Sequence, residues 1–124
     1  MQKTLMIVAT LLLSSPVLAQ HAHYDKGPNG GQMQDVAGVH AEFLANGSSL
    51  VLNIVDEAGK PLDTNGFTAS ALILTGGERK TVQLIASGSS LRADLPAALP
   101  AGSTVTVAIK TAAGKSGQAK FTTR

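Results

Sequence analysis

Hydrophobic and polar residues alternate along most of this chain, in short runs that turn residues interrupt. Residues 104–111 read Thr-Val-Thr-Val-Ala-Ile-Lys-Thr, and residues 80–86 and 91–95 alternate in the same way. Strict alternation turns one set of side chains toward a core and the other toward water, which is typical of a half-buried β-strand. The pattern therefore predicts strands in these three runs.

Further short runs bring the total to about eight strands. Asn46-Gly47 follows one of them, and this dipeptide favours a tight hairpin because both residues tolerate positive φ angles. Two prolines in the alanine-rich stretch 93–101 argue against a helix there. Regularly spaced short strands predict an all-β fold, and the chain length favours an immunoglobulin-like antiparallel β-sandwich of seven or eight strands over a barrel. The additional runs are residues 32–36, 39–45, 50–55, 67–75 and 118–123.

The N-terminus has the pattern of a signal peptide. Lys3 precedes an apolar run from Leu5 to Leu13, and Val17-Leu18-Ala19 places small residues at a cleavage site. The run is about half the ~20 residues that a membrane span needs. We therefore predict a cleaved signal peptide (1–19), a flexible N-terminal segment (20–31) and a β-sandwich domain (32–124). The mature chain is then expected in the periplasm, without a membrane span.

Composition removes several classes of function. The chain has no cysteine, which excludes disulfides, thiolate metal sites and thiol catalysis. Its formal net charge is only +2, and its basic residues are scattered, so no nucleic-acid footprint is visible. Aromatic residues make up 3% and tryptophan is absent, which leaves few platforms for stacking bases or sugars.

The residues best suited to bind a metal lie near the predicted mature N-terminus. All three histidines (His21, His23 and His40) and the only methionine beyond the signal peptide (Met33) fall there. His40 and Glu42 are two apart on a predicted strand, so their side chains share a face. Imidazole and carboxylate on one face can share a divalent cation, and a thioether suits Cu(I), so we expect copper, with zinc and nickel as alternatives. The simpler interpretations are a His40–Glu42 hydrogen bond, a Met33 that fills the core and an N-terminal tail without a role.

Three stretches resemble a known family. Pro28-Asn29-Gly30-Gly31, then His40-Ala41-Glu42-Phe43, then Asp56-Glu57-Ala58-Gly59-Lys60-Pro61-Leu62 resemble small periplasmic proteins and N-terminal adaptor domains of heavy-metal efflux systems. Members of that family carry a Pro-His-Gly-Gly stretch followed by a His-x-Glu-Leu strand.

The resemblance implies that His40 and Glu42 handle metal. Asn29 stands where the family has its first histidine, and an amide oxygen is a poor ligand for copper or zinc. His21 or His23 is a candidate to replace the missing imidazole.

Two hypotheses follow for the function. The first is a periplasmic copper-binding or copper-buffering protein associated with heavy-metal efflux. The second is a metal-free interaction module that docks on another envelope protein through a sheet face or edge. We do not expect an enzyme, because the chain lacks a Gly-x-Ser-x-Gly elbow and the acidic residues 56, 57 and 63 fall in a turn.

Overall fold

The computed structural model describes residues 26–124, so the predicted signal peptide, His21 and His23 lie outside the described residues. Eight strands form in this part of the chain, each within two residues of its predicted position, and no helix forms there. The strands are β1 (Gln32–Val36), β2 (Val39–Asn46), β3 (Ser49–Val55), β4 (Thr68–Thr75), β5 (Glu78–Ser87), β6 (Ser90–Asp94), β7 (Thr104–Lys110) and β8 (Ser116–Thr122).

All strand pairs are antiparallel, and the strands form one continuous sheet in the order β1-β2-β3-β6-β5-β4-β7-β8. The first and last strands approach each other, and the Gln32 side chain joins them by hydrogen bonds with the backbone N–H and C=O of Thr122. The predicted all-β fold is therefore confirmed. One nearly closed sheet is closer to a barrel than to the two separate sheets of the predicted sandwich.

Strand β5 explains why the sheet is continuous. Its first part, Glu78 to Leu84, pairs with β4, whereas its last part, Ile85 to Ser87, pairs with β6. This long strand passes from one half of the sheet to the other, so the two halves wrap around a shared core. A sequence pattern reports which residues alternate, but not which neighbours a ten-residue strand pairs with along its length.

Two-residue turns set the register of the hairpins. Ala37 and Gly38 join β1 to β2 with φ angles of 53° and 81°, as a type I′ turn requires. This turn places Asp35 opposite His40. The predicted hairpin at Asn46-Gly47 is confirmed, because Asn46 pairs with Ser49 across the β2–β3 turn.

Inward-facing side chains form the core between the two halves. Phe43 of β2 and Phe121 of β8 stack with ring centroids 4.9 Å apart. Leu52, Ile54 and Val107 are fully buried around them. Each such side chain stabilises the fold by about 1.5–3 kcal/mol relative to an exposed one.

Outward-facing side chains form two surfaces with different surroundings. We call the outer side of β1, β2 and β3 the covered face, because residues 27–31 lie over part of it. We call the outer side of β5, β4, β7 and β8 the open face. No helix among residues 26–124 is long and apolar enough to cross a membrane.

Candidate functional site

Residues 27–31 form a hydrogen-bonded turn in front of β1. The Gly27 N–H donates to the Gly31 carbonyl at 2.6 Å, and the Gly30 N–H donates to the Gly27 carbonyl at 3.0 Å. Pro28 presets φ at the second position of the turn, and Gly30 adopts a φ of 81° that other residues rarely accept. The sequence predicted a turn here. The turn packs on β2.

Glu42 holds this turn against the sheet. Its Oε2 accepts hydrogen bonds from the backbone N–H groups of Asn29 at 2.7 Å and Gly31 at 3.0 Å. Its Oε1 accepts from the Asn29 side-chain amide at 2.8 Å and from that of Asn53 at 3.5 Å. A carboxylate offers about four lone-pair sites. Four N–H donors therefore occupy the Glu42 carboxylate, which is fully buried.

The two outer glycines of the turn leave no room for a side chain. A β-carbon at position 31 would lie 2.3 Å from the Phe43 carbonyl oxygen. One at position 27 would lie 2.5 Å from Glu42 Oε2 and 2.6 Å from Met33 Sδ. The carboxylate and the thioether are therefore neighbours beneath Gly27.

The hydrogen bonds keep Glu42 ionised despite its burial. Burial alone raises the pKa of a carboxyl group, because it disfavours the charged form. Here the bonds from Asn29, Gly31 and Asn53 outweigh burial and lower the pKa of Glu42 below its ordinary value of 4.5. The turn thus rests on a buried negative charge at neutral pH.

His40 lies on the same covered face but has a different partner. Its Nδ1 pairs with Asp35 Oδ1 on the neighbouring strand, and not with Glu42 as the simpler interpretation held. The His40 side chain is 30% exposed, so ligands can reach the ring. A neutral imidazole has one donor and one acceptor nitrogen, and the pairing of Nδ1 leaves Nε2 as the nitrogen for a ligand.

A cavity of about 340 Å³ lies beside the turn, and it brings two of the predicted metal ligands together. Met33 and His40 both line it. The remaining lining residues come from the turn and from the end of β3 with the loop that follows: Lys26, Gly27, Pro28, Val55, Asp56, Glu57 and Gly59. Met33 therefore faces this cavity and not the main core.

The predicted site residues thus separate into two groups. Met33 and His40 share the cavity, whereas all four acceptor positions of Glu42 are taken, three by the turn and one by Asn53 of β3. Sequence reasoning missed Asp35 and Asn53. The Ala37-Gly38 turn was a signal for Asp35, because a two-residue turn after residue 36 fixes the pair Asp35–His40. The contact between Asn53 and Glu42 follows from the hairpin at Asn46-Gly47 in the same way.

Residues 26–124 contain no group of three or more histidine, cysteine, aspartate or glutamate side chains placed to share a metal ion. Comparison of the chain with protein-family models, curated proteins and solved structures found no match.

Proposed function

We propose that this protein binds a copper ion in the cavity beside the Gly27–Gly31 turn. The observation that carries the proposal is that Met33 and His40 line the same cavity. Both residues lie near the turn, one on β1 and one on β2, and the hairpin register keeps them on one face. Thioether sulfur and imidazole nitrogen are ligands that copper accepts, and the thioether favours Cu(I).

Glu42 supports this site without serving as a ligand. Its carboxylate holds the turn that forms one wall of the cavity, and Gly27 lies directly over both Glu42 and Met33. A metal ligand that is kept in place by surrounding hydrogen bonds and packing binds more tightly than a mobile one. The buried negative charge next to the thioether also favours a cation in the cavity over an anion.

The N-terminal histidines are candidates for additional ligands. Lys26 lines the cavity, and His23 precedes it by three residues. Three extended residues span about 10 Å, which is enough to return an imidazole to the cavity. With a nitrogen ligand from His23 or His21, the ion has three protein ligands, and zinc or nickel become alternatives to copper.

The biological role we propose is buffering or transfer of the ion in the periplasm. The signal-peptide pattern directs the chain there, and the resemblance to heavy-metal efflux proteins suggests an efflux protein as the recipient. A site with few protein ligands and a half-exposed histidine suits transfer, because an incoming ligand can reach the ion.

The experiment that tests the proposal is a titration of residues 20–124 with Cu(I), Cu(II), Zn(II) and Ni(II), using competing chelators of known affinity. Met33→Leu is the matched variant for the thioether, because it keeps the volume and removes the sulfur. His40→Gln removes the imidazole, and a chain without residues 20–23 removes the other two. We expect Cu(I) to bind in one-to-one ratio and each of the first two variants to lose at least tenfold in affinity.

Two results would overturn this proposal. If the chain without residues 20–23 loses all binding while Met33→Leu and His40→Gln keep full affinity, the ion binds to the tail and not to the cavity. If no metal binds the parent chain, a metal-free role is the better account.

One observation favours the alternative of a metal-free interaction module. The open face carries a half-buried Leu72 and an exposed Leu74, and its charged residues are Arg79, Lys110 and Lys120. No aspartate or glutamate of the described part of the chain lies on this face. Such a face suits an acidic partner protein. On this account the two halves that share β5 act as the two sheets of an immunoglobulin-like sandwich.

A further inference from the structure

We propose that Asp35 is a positioning residue that fixes the tautomer of His40, so that Nε2 is the nitrogen that binds the metal. The proposal rests on the proposed copper site. It adds a residue to that site, and it names the donor atom of His40, the one histidine among residues 26–124 that lines the cavity.

The backbone places these two side chains together. Asp35 and His40 are direct partners in the β1–β2 ladder, and the type I′ turn at Ala37-Gly38 closes the hairpin two residues away. Side chains of directly opposite residues lie on the same face of the sheet. The contact between Asp35 Oδ1 and His40 Nδ1 is therefore a consequence of the register and does not depend on a long loop.

The chemistry of the pair determines the tautomer. An ionised carboxylate only accepts hydrogen bonds, so the nitrogen that faces it must carry a proton. In a neutral imidazole the other nitrogen, Nε2, then keeps its lone pair. Metal-binding histidines commonly donate their second N–H to a carboxylate in this way, and loss of that partner typically lowers metal affinity 10- to 100-fold.

A purely structural role for this contact predicts a different result. The Asp35 side chain is 70% exposed, and exposed pairs contribute little to stability because water screens them. If the contact only held the hairpin together, removal of Asp35 would shift the melting temperature slightly and leave the ring nitrogens of His40 unaffected. The tautomer is therefore the readout that separates the two roles.

The test combines nitrogen NMR with copper affinity. In a chain that lacks residues 20–23, His40 is the only histidine, so its two ring nitrogens are assigned without ambiguity. We expect the metal-free protein, at a pH where the ring is neutral, to show a protonated Nδ1 and an unprotonated Nε2. Asp35→Ala should give a mixture of tautomers and Asp35→Glu should restore the single form.

The same variants are then compared for Cu(I) affinity in residues 20–124. We expect Asp35→Ala to weaken binding 10- to 100-fold with an unchanged melting temperature, and Asp35→Glu to recover most of the loss. A tautomer at His40 that does not change in Asp35→Ala overturns the proposal, and so does an unchanged affinity. If the parent chain binds no Cu(I), the proposed function fails, and the NMR result still decides whether Asp35 controls the ring.

Discussion

The covered face and the open face are built from the same kind of alternating strand, but their outward side chains differ in exposure to solvent. On the covered face, Glu42 is fully buried and Val55 is only 8% exposed, although both point away from the core. On the open face every outward side chain is at least partly exposed. The difference arises because residues 27–31 cover one surface and nothing among residues 26–124 covers the other.

A short segment, residues 27–31, therefore makes part of an ordinary sheet surface a candidate binding site. The open face follows the usual rule that outward positions are polar and solvated. The covered face places a carboxylate, a thioether and an imidazole on one surface and shields the first two with a five-residue turn. We expect substitutions beneath the turn to affect both stability and metal binding, and those on the open face to affect neither.

Glu42→Ala should give the largest effect, because it breaks the contact that makes the covered face different. Removal of the carboxylate leaves the N–H groups of Asn29 and Gly31 without their acceptor and opens a cavity beneath the turn. We expect a loss of about 3 kcal/mol or more in the free energy of unfolding, measured by urea denaturation.

The matched control on the open face is Gln118→Ala, which removes an exposed polar side chain from the middle of β8. A change within about 0.5 kcal/mol is expected there. Equal losses in the two variants would contradict the distinction between the faces.

Gly31→Ala is expected to have the next largest effect. Its β-carbon would meet the Phe43 carbonyl oxygen at 2.3 Å, and a backbone atom within a strand pair cannot move aside easily. The turn must lift from the sheet, at a cost of about 1–3 kcal/mol. Copper affinity should fall as well, because the wall of the cavity moves with the turn.

Gly30→Ala is the control for the turn itself. No atom lies within 4 Å of the added methyl group, so the only cost is the φ of 81°, which is about 1 kcal/mol. A larger loss for Gly30→Ala than for Gly31→Ala would show that backbone strain, and not contact with β2, limits the turn.

These contacts also show how far the sequence alone leads. Local patterns predicted the strands, because alternation and turn residues act over a few positions. The register followed from the same turns, so the pairing of Asp35 with His40 was within reach of sequence reasoning. The position of the turn on Glu42 was not, because it joins residues 11 and 13 positions apart through hydrogen bonds that no residue pattern signals. Nor did the pattern reveal that β5 pairs with strands of both halves of the sheet.

Acid should reduce the contribution of Glu42, on the covered face, to the free energy of unfolding. Because the folded state lowers the pKa of Glu42 below 4.5, the unfolded state binds the proton more readily. The stabilisation from this group is complete above its unfolded pKa and is lost as the pH falls through the folded pKa. We expect the free energy of unfolding to fall below about pH 4.5, as measured by denaturation at a series of pH values.

Glu42→Gln removes this titration and serves as the comparison for the acid experiment. The variant should be less stable than the parent at pH 7, and the two should converge as the pH falls. A constant difference between them across the acid range would contradict the assignment of the charged form to Glu42.

Ala37→Gly should stabilise the protein by about 0.5–1 kcal/mol. Ala37 has a φ of 53° in the β1–β2 turn, a conformation that costs most residues about 1 kcal/mol or more and glycine almost nothing. The turn that joins β4 to β5, two strands of the open face, contains Gly76 with the same φ of 53°. The reverse change, Gly76→Ala, should therefore destabilise the protein by a similar amount. Thermal melts of both variants would measure the two changes in stability.

The smallest effect is expected for Thr106→Ala, at the centre of the open face. Thr106 lies between Leu72 and Lys120 and makes no hydrogen bond through its side chain among the described residues. We expect the stability to change by less than about 0.5 kcal/mol and the copper affinity to stay the same.

A loss above 1 kcal/mol for Thr106→Ala would mean that a partner packs on this face in solution. Sedimentation of the parent chain and the variant would then show whether that partner is a second copy, since loss of self-association would accompany the loss of stability. A small loss of stability for Thr106→Ala, together with the large loss for Glu42→Ala, would show that the outward-facing side chains beneath residues 27–31 contribute more to stability than those of the open face.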